Sequence, residues 1–322
     1  MSTISLADVA RALDRMLDGQ MTAQARIAAH LVAAEEAAGH DPARIIGALD
    51  AVAADTVLDE VWISDERGVV YLTNVRDDSG APMPFEFYPD PAVQPQAWEF
   101  HALLSFPVDG DGVVAQAAQV REIDNEVYKY VGVSGVDRRR IVQVGNALAF
   151  EEQAPSDAYT SPVMTAVLAA FGEPELLSAS HTDRLAEIRP VFEAILGRQM
   201  VVQAALVDAL VAGAEAAGWP AAEIDGRLRR IVRSSPTGEI HVLEAGGGAI
   251  YGSGPADGGD AGPGAAEGRG VVEHPVAPRA SDGALYKYVA AAGAGSDRVV
   301  RVGLPIDDGS LVSPRFDVAA AD

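Results

Sequence analysis

A chain of 322 residues, 48% apolar and 22% charged, has enough material for two ordered domains, each able to bury its own core. A formal charge of −23, from 47 acidic against 24 basic side chains, sets the surface against nucleic-acid phosphates and anionic lipid head groups. With no cysteine, disulfides, thiolate nucleophiles, Cys-ligated zinc and iron–sulfur clusters are excluded.

The first twenty residues lack the basic start and unbroken apolar stretch of a secretory signal and read as an amphipathic helix. Leu6, Val9, Leu13, Leu17, Gln20, Gln24, Ile27 and Leu31 recur at three- and four-residue steps, the seam of one long helix interrupted by glutamines. Thirty residues of helix would reach roughly 45 Å, enough to cover a sheet and pair with a second long helix. A second helix is predicted over about Pro42 to Ala54, with Asp41 at its N-cap. Alternating segments then predict strands near Glu60–Ser64, Val69–Thr73, Val113–Arg121, Val127–Val133 and Arg140–Asn146, turning at DERG, DNE and GVDR.

The chain then repeats itself. LDGQMTAQ at Leu17–Gln24 matches LGRQMVVQ at Leu196–Gln203, and YKYVGVSGVDRRRIVQVG at Tyr128–Gly145 matches YKYVAAAGAGSDRVVRVG at Tyr286–Gly303. Strands of the second copy are expected near Glu239–Leu243, Ala249–Tyr251, Val271–Arg279, Leu285–Ala291 and Val299–Leu304. The offset is smaller in the second match, so copy two has lost a piece corresponding to Asp77–Phe106, and a Gly/Ala/Asp/Pro run at Gly252–Gly270 fills its place as an expected disordered surface loop. The expected organisation is a first module over 1–158, a linker with a short helix over 159–180, a degenerate second module over 181–312 and a tail over 313–322. Val201–Pro220, the most apolar stretch, is broken by Gln203, Asp208 and Glu215, which makes a membrane span costly.

Long helix, strand ending in Asp-x-x-Gly, strand with Thr-Asn, aromatic crossover and three-strand meander resemble the Cache/PAS-like sensor superfamily, on VWISDERGVVYLTN (Val61–Asn74), the crossover to Phe106 and the meander Val113–Gly145. The resemblance implies an α+β fold of two tandem PAS/Cache-like modules, each a long N-terminal helix with a five-stranded antiparallel sheet. It also implies a small-molecule pocket between sheet and crossover, and signals passing along the long helices to an output protein. The Tyr/Arg/Trp/Tyr/Asp signature of the amino-acid-binding subgroup is not recognisable, so no amino-acid ligand is implied.

Arg121 with Lys129, and Arg279 with Lys287, recur at identical spacing across a hairpin. Symmetric closure about Asp124 would put Gln119, Arg121 and Lys129 on one face, where a carboxylate ligand, an internal acid or plain solvent would satisfy the lysine. Tyr128 and Tyr130 would then pack against the long helix. Crossover aromatics including Phe87, Tyr88 and Trp98 are weighed as loop anchors over a ligand lid, and with Tyr71, Gln119, Arg121 and Lys129 they form the candidate ligand lining. Gln20, Gln24, Gln199 and Gln203 favour a helix–helix interface, within the chain or between two chains. Arg138-Arg139-Arg140 reads as a solvated turn.

Asp109-Gly110-Asp111-Gly112 lacks the further ligands of a calcium loop, Gly246–Gly248 precedes a strand rather than a helix, and the six histidines show no metal spacing. The expectation is a cytoplasmic, non-enzymatic sensor without cofactor or metal. It binds a small anionic metabolite in the first module and acts on a separate signalling protein, with a homodimer through the long helices. A ligand-free interaction scaffold is the alternative.

Overall fold

The computed structural model describes residues 6–121, 126–147, 181–245, 247–254, 270–293 and 297–306, with side chains from residue 13 in the first helix and from 192 in the third. The proposed linker helix, the tail and the core of the glycine-rich filler lie outside the described residues.

Each repeat forms a helical pair and one antiparallel sheet. In the first, α1 (Leu6–Ala37) and α2 (Pro42–Asp55) precede β1 (Glu60–Ser64), β2 (Val70–Thr73), a 3-10 helix (Trp98–Ser105), β3 (Val113–Ala115), β4 (Gln119–Val120), β5 (Val127–Ser134) and β6 (Ile141–Ala147). In the second, α3 (His181–Ala216) and α4 (Ala221–Arg233) precede β7 (Glu239–Glu244), β8 (Ala249–Gly252), β9 (Val271–Pro278), β10 (Leu285–Ala292) and β11 (Arg298–Pro305). The strand orders are β2-β1-β6-β5-β3, with β4 also on β5, and β8-β7-β11-β10-β9. The fold is therefore α+β, two modules of the same element order, each a long helix, a short helix and one antiparallel sheet, as the repeat predicts. The Asp41 carboxylate caps α2 by accepting from the Arg44 N–H, and Pro42 occupies the first turn, where its missing donor costs nothing.

Parity along the strands sorts the first sheet into two faces. Val61, Ile63, Val131, Val133, Val142 and Val144 point to the helices, while Trp62 and Ile141 point to the crossover with Phe87, Phe100 and Leu103. The crossover runs beside β2, where the Val70 N–H donates to Phe85 O and the Phe87 N–H donates to Gly68 O. Gly68 sits at φ +93°, and a Cβ there would come within 2.7 Å of Phe87 O, so the Asp65–Gly68 turn needs glycine twice over.

The long helices pack on each other between the two sheets. Gln24 Nε2 donates to Gln199 Oε1 at 2.7 Å, and Gln203 Nε2 donates to Gln20 Oε1 at 2.6 Å. Because the repeat maps Gln20 onto Gln199 and Gln24 onto Gln203, the two bonds exchange under the internal two-fold, as contacts in a symmetric dimer would. Thr237 Oγ1 also donates to Gln203 Oε1, and Asn146 Nδ2 to Gln199 Oε1. Of the two pairings open to these seams, the glutamines thus make the one within the chain. Phe192–Ala216 is long and apolar enough to cross a bilayer, yet here it is packed mostly inside the fold.

Gln203→Ala would strip Gln20 and Thr237 of a buried partner. We expect a loss of about 1–3 kcal/mol, read in urea as a lower midpoint at unchanged slope; an unmoved midpoint would show that the amides do not hold the helices.

Candidate functional site

The site depends on a defect in one strand. Val113 to Ala115 pair with Val133 to Val131, but further on Gln119 pairs with Tyr128 and Val120 with Val127, so four steps on one strand match three on the other. This bulge splits the single strand expected over Val113–Arg121 into β3 and β4 and turns everything after it to the opposite face. The second sheet has the same slip between Tyr286 and Tyr288. Symmetric hairpin closure therefore fails. Gln119 and Arg121 face the crossover together with Tyr128 and Tyr130, and Lys129 alone of the set faces α1.

Lys129 is fully buried, its ammonium 2.8 Å from Asp14 and 2.6 Å from Asp18 on α1, and it donates to Gln116 O at 3.0 Å. Internal acids thus satisfy it, and neither solvent nor ligand reaches it. Burial pushes the Asp18 carboxyl above its ordinary value, with Lys129 pulling the other way. In the second module Lys287 reaches the equivalent carbonyl, His274 O, at 3.4 Å. Its acid comes from a different element. Position 18 corresponds to Gly197 and position 115 to Glu273, and Glu273 lies 3.3 Å from Lys287 with its carboxylate over the space that a Cβ at Gly197 would occupy.

On the crossover face, Glu60 is buried and held from three sides. It pairs with Arg121 and accepts from Tyr130 Oη at 2.9 Å and from Trp62 Nε1 at 3.0 Å. The Arg121 guanidinium lies 3.9 Å over the Tyr128 ring, which stacks on Tyr130 at 5.6 Å. Burial first, then the Glu60 charge, raise both tyrosine hydroxyls, that of Tyr128 to about 12. Gly145 is required beside them, since a Cβ would come within 2.5 Å of the Tyr130 ring. Above this floor is a cavity of about 250 Å³ walled by Trp62, Phe85, Tyr130 and five glutamines, 94, 96, 116, 119 and 143.

Of the residues that the sequence suggests for the lining, the structure brings Gln119 and Arg121 to the cavity and leaves the others elsewhere. Phe87 is buried in an aromatic run, 5.0 Å from Phe85 and 6.0 Å from Phe100, that anchors the crossover. Tyr88 and Trp98 are exposed, at 42% and 38%. Tyr71 belongs to a cluster at the far end of the sheet, where it donates to Glu36 and accepts from Arg138 and Arg140. Arg140 is 1% exposed and also pairs with Glu36 and Asp137, so of the basic run only Arg138 and Arg139 lie in an exposed bend, and Arg140 is buried. Tyr128 and Tyr130 lie on the crossover face, away from the long helix. Of the crossover aromatics weighed as anchor or lid, Phe85 reaches the cavity wall, while nothing in the local sequence marks Trp62, Gln116, Tyr130, Gln143 or Glu60 as lining or floor. The signal for Glu60 and Tyr130 is the repeat itself, which keeps Glu239, Arg279, Tyr286, Tyr288 and Gly303 at the matching positions.

In the second module Arg279 donates to Glu239 at 3.1 Å and lies 4.2 Å over Tyr286, while Arg301, at the position of Gln143, comes 3.6 Å from the same carboxylate. Among the described residues no three His, Asp or Glu side chains converge to hold a metal ion.

No protein-family model matches the chain, and no curated protein matches it. Among solved structures, the chain is similar to the ligand-binding domain of the Campylobacter jejuni chemoreceptor Tlp3 in complex with L-norvaline, at 8% identity over 91% of this chain and 92% of that one, with a TM-score of 0.22. The same domain with L-valine gives 9% identity over 94% and 95% and a TM-score of 0.21; with 4-methylisoleucine it gives 9% over 94% and 92% and 0.20.

Lys129→Met leaves Asp14 and Asp18 facing a buried gap, and we expect a loss of about 3–5 kcal/mol at pH 7. A carboxyl whose folded pKa lies above its unfolded value binds protons more tightly in the fold, so its penalty eases as pH falls. The deficit should therefore be smaller at pH 5 than at pH 7 in parallel urea titrations, and a deficit that grows on acidification would contradict the assignment.

Proposed function

We propose that the first module is the ligand-binding half of a small-molecule sensor, and that its ligand is small and carries no net charge. One observation supports this above the rest: the cavity between sheet and crossover is walled by aromatic rings and carboxamides, and the one guanidinium among its described lining residues, Arg121, is paired with the buried Glu60 carboxylate of the floor. A bound anion gains most from a cation that no carboxylate already compensates. Arg121 is engaged by Glu60 and Lys129 by Asp14 and Asp18, on opposite faces of the sheet. These pairings support a neutral ligand over an anionic one in this reading.

A route outward follows from the same contacts. Gln116 lines the cavity, its carbonyl is bound by Lys129, Lys129 is bound to α1, and α1 is joined to α3 by the glutamine pairs. Occupancy that shifts the bulge would pull on the helix pair, and a separate signalling protein would read that pair. In this reading the chain performs no chemistry of its own and acts in the cytoplasm.

The scaffold reading has an observation in its favour too: the cavity, at about 250 Å³, is smaller than the usual ligand site, and the helix seams are filled within the chain. A thermal-shift panel of small neutral and charged metabolites separates the two. A ligand at one hundred times its Kd adds about 2.7 kcal/mol to apparent stability. We expect such a shift with wild type and its loss in Ala97→Trp, which fills the cavity from the crossover side. No shift from any compound, with a stable Ala97→Trp, would favour the scaffold.

A further inference from the structure

Four of the five glutamines around the cavity are already occupied. Gln94 donates to Glu86 O and accepts from the Tyr88 N–H, Gln96 donates to Val120 O, and Gln116 and Gln119 both donate to Gln96 O. Those of Gln94 brace the crossover itself, and the others fasten it to β4 and to the bulge before it. Gln143 differs from them. It stands on β6 opposite Trp62, is only 4% exposed and lines the cavity, and its carboxamide has no hydrogen-bond partner among the described residues. Its carboxamide is left open to the cavity, where whatever occupies that space can pair with it.

The internal repeat supplies the comparison. Trp62 pairs across the strands with Gln143, and at the same two positions His241 pairs with Arg301. Arg301 turns to its own module, 3.6 Å from Glu239 and 5.3 Å over the Tyr288 ring. The second module thus directs the side chain at this position onto the Glu–Tyr floor, whereas the first leaves the floor to Arg121 and points a neutral donor–acceptor pair into the cavity.

We propose that Gln143 is the residue that reads the ligand, and that the ligand is a small neutral carboxamide or lactam, whose adjacent N–H and C=O match the side chain's own acceptor and donor. The inference rests on the reading of this cavity as a ligand site. A flat amide would pair with Gln143 through two hydrogen bonds and pack its remaining atoms against Trp62, Phe85 and Tyr130. A carboxylate of the same shape would lose its hydration with no cation left to compensate it.

The test is calorimetric titration of the full chain with nicotinamide and 2-pyrrolidone against nicotinate and propionate, beside the thermal-shift panel above. Wild type should bind at least one of the neutral pair, and the acids about tenfold more weakly or not at all. Gln143→Leu should fold with a nearly unchanged melting temperature, having broken no hydrogen bond to a described residue, and should weaken the amide about tenfold or more. Gln143→Arg, which installs the side chain of the second module, should abolish it. Equal amide binding by wild type and Gln143→Leu overturns the assignment. So does tighter binding of the acids, or an Ala97→Trp-sensitive shift produced only by other chemistries; in those cases the cavity remains a ligand site. If no compound shifts the wild type, the ligand-site reading falls, and this inference with it.

Discussion

A lysine ammonium buried beneath a bulge is the interaction on which the rest of the site depends. One extra residue between Ala115 and Gln119 takes Gln116 O out of regular pairing with β5, and Lys129 donates to that carbonyl while its charge is met by two aspartates of α1. The sheet is thereby tied to the long helix by an ion pair that cannot be broken from one side without leaving a buried charge. The same extra residue reverses the face of everything that follows it, which sends Arg121 to the crossover side and makes the Glu60–Arg121–Tyr130 floor available there. Bulge, lysine and floor form one arrangement.

The second module shows which parts of that arrangement go together. Both sheets keep the slip, the lysine, the Glu–Arg pair, the stacked tyrosines and the glycine that makes room for them. What varies varies in compensated pairs. Where α3 has glycine in place of Asp18, β9 has glutamate in place of Ala115, so the lysine still meets an acid. Where β7 has histidine in place of Trp62, β11 has arginine in place of Gln143, and the space above the floor is used differently. The shared part is thus the frame of both modules, and the differing pair is where the proposed site of the first departs from the second.

Much of the fold is legible in the sequence because it rests on periodicity and repetition. The glutamine-interrupted seams mark the long helices and their pairing, alternation marks the strands, and the offset between the two matches locates the crossover. The faces of the third and fourth strands are not legible, since a bulge is a local departure from the two-residue period that no hydrophobic pattern in Val113–Arg121 announces. That single slip displaces Lys129, Tyr128 and Tyr130 together from the faces that regular pairing would give them. Tyr71 and Arg140 escape a sequence reading for a different reason: their partner Glu36 is far away in sequence, at the end of α1. Gln143 lies inside a matched segment, QVG against RVG, where the difference from Arg301 is visible but carries no meaning until both side chains are placed over their floors.

Cavity and helix pair are joined through the bulge, so the most direct measurement is backbone hydrogen exchange with and without a bound cavity ligand. Protection should rise together in Gln116–Val120, in β5 around Lys129 and in α1 from Leu13 to Gln24, and Lys129→Met should confine the change to the crossover and β3–β4. Protection limited to the crossover in the wild type itself would mean that the lysine under the bulge holds the fold together but transmits nothing.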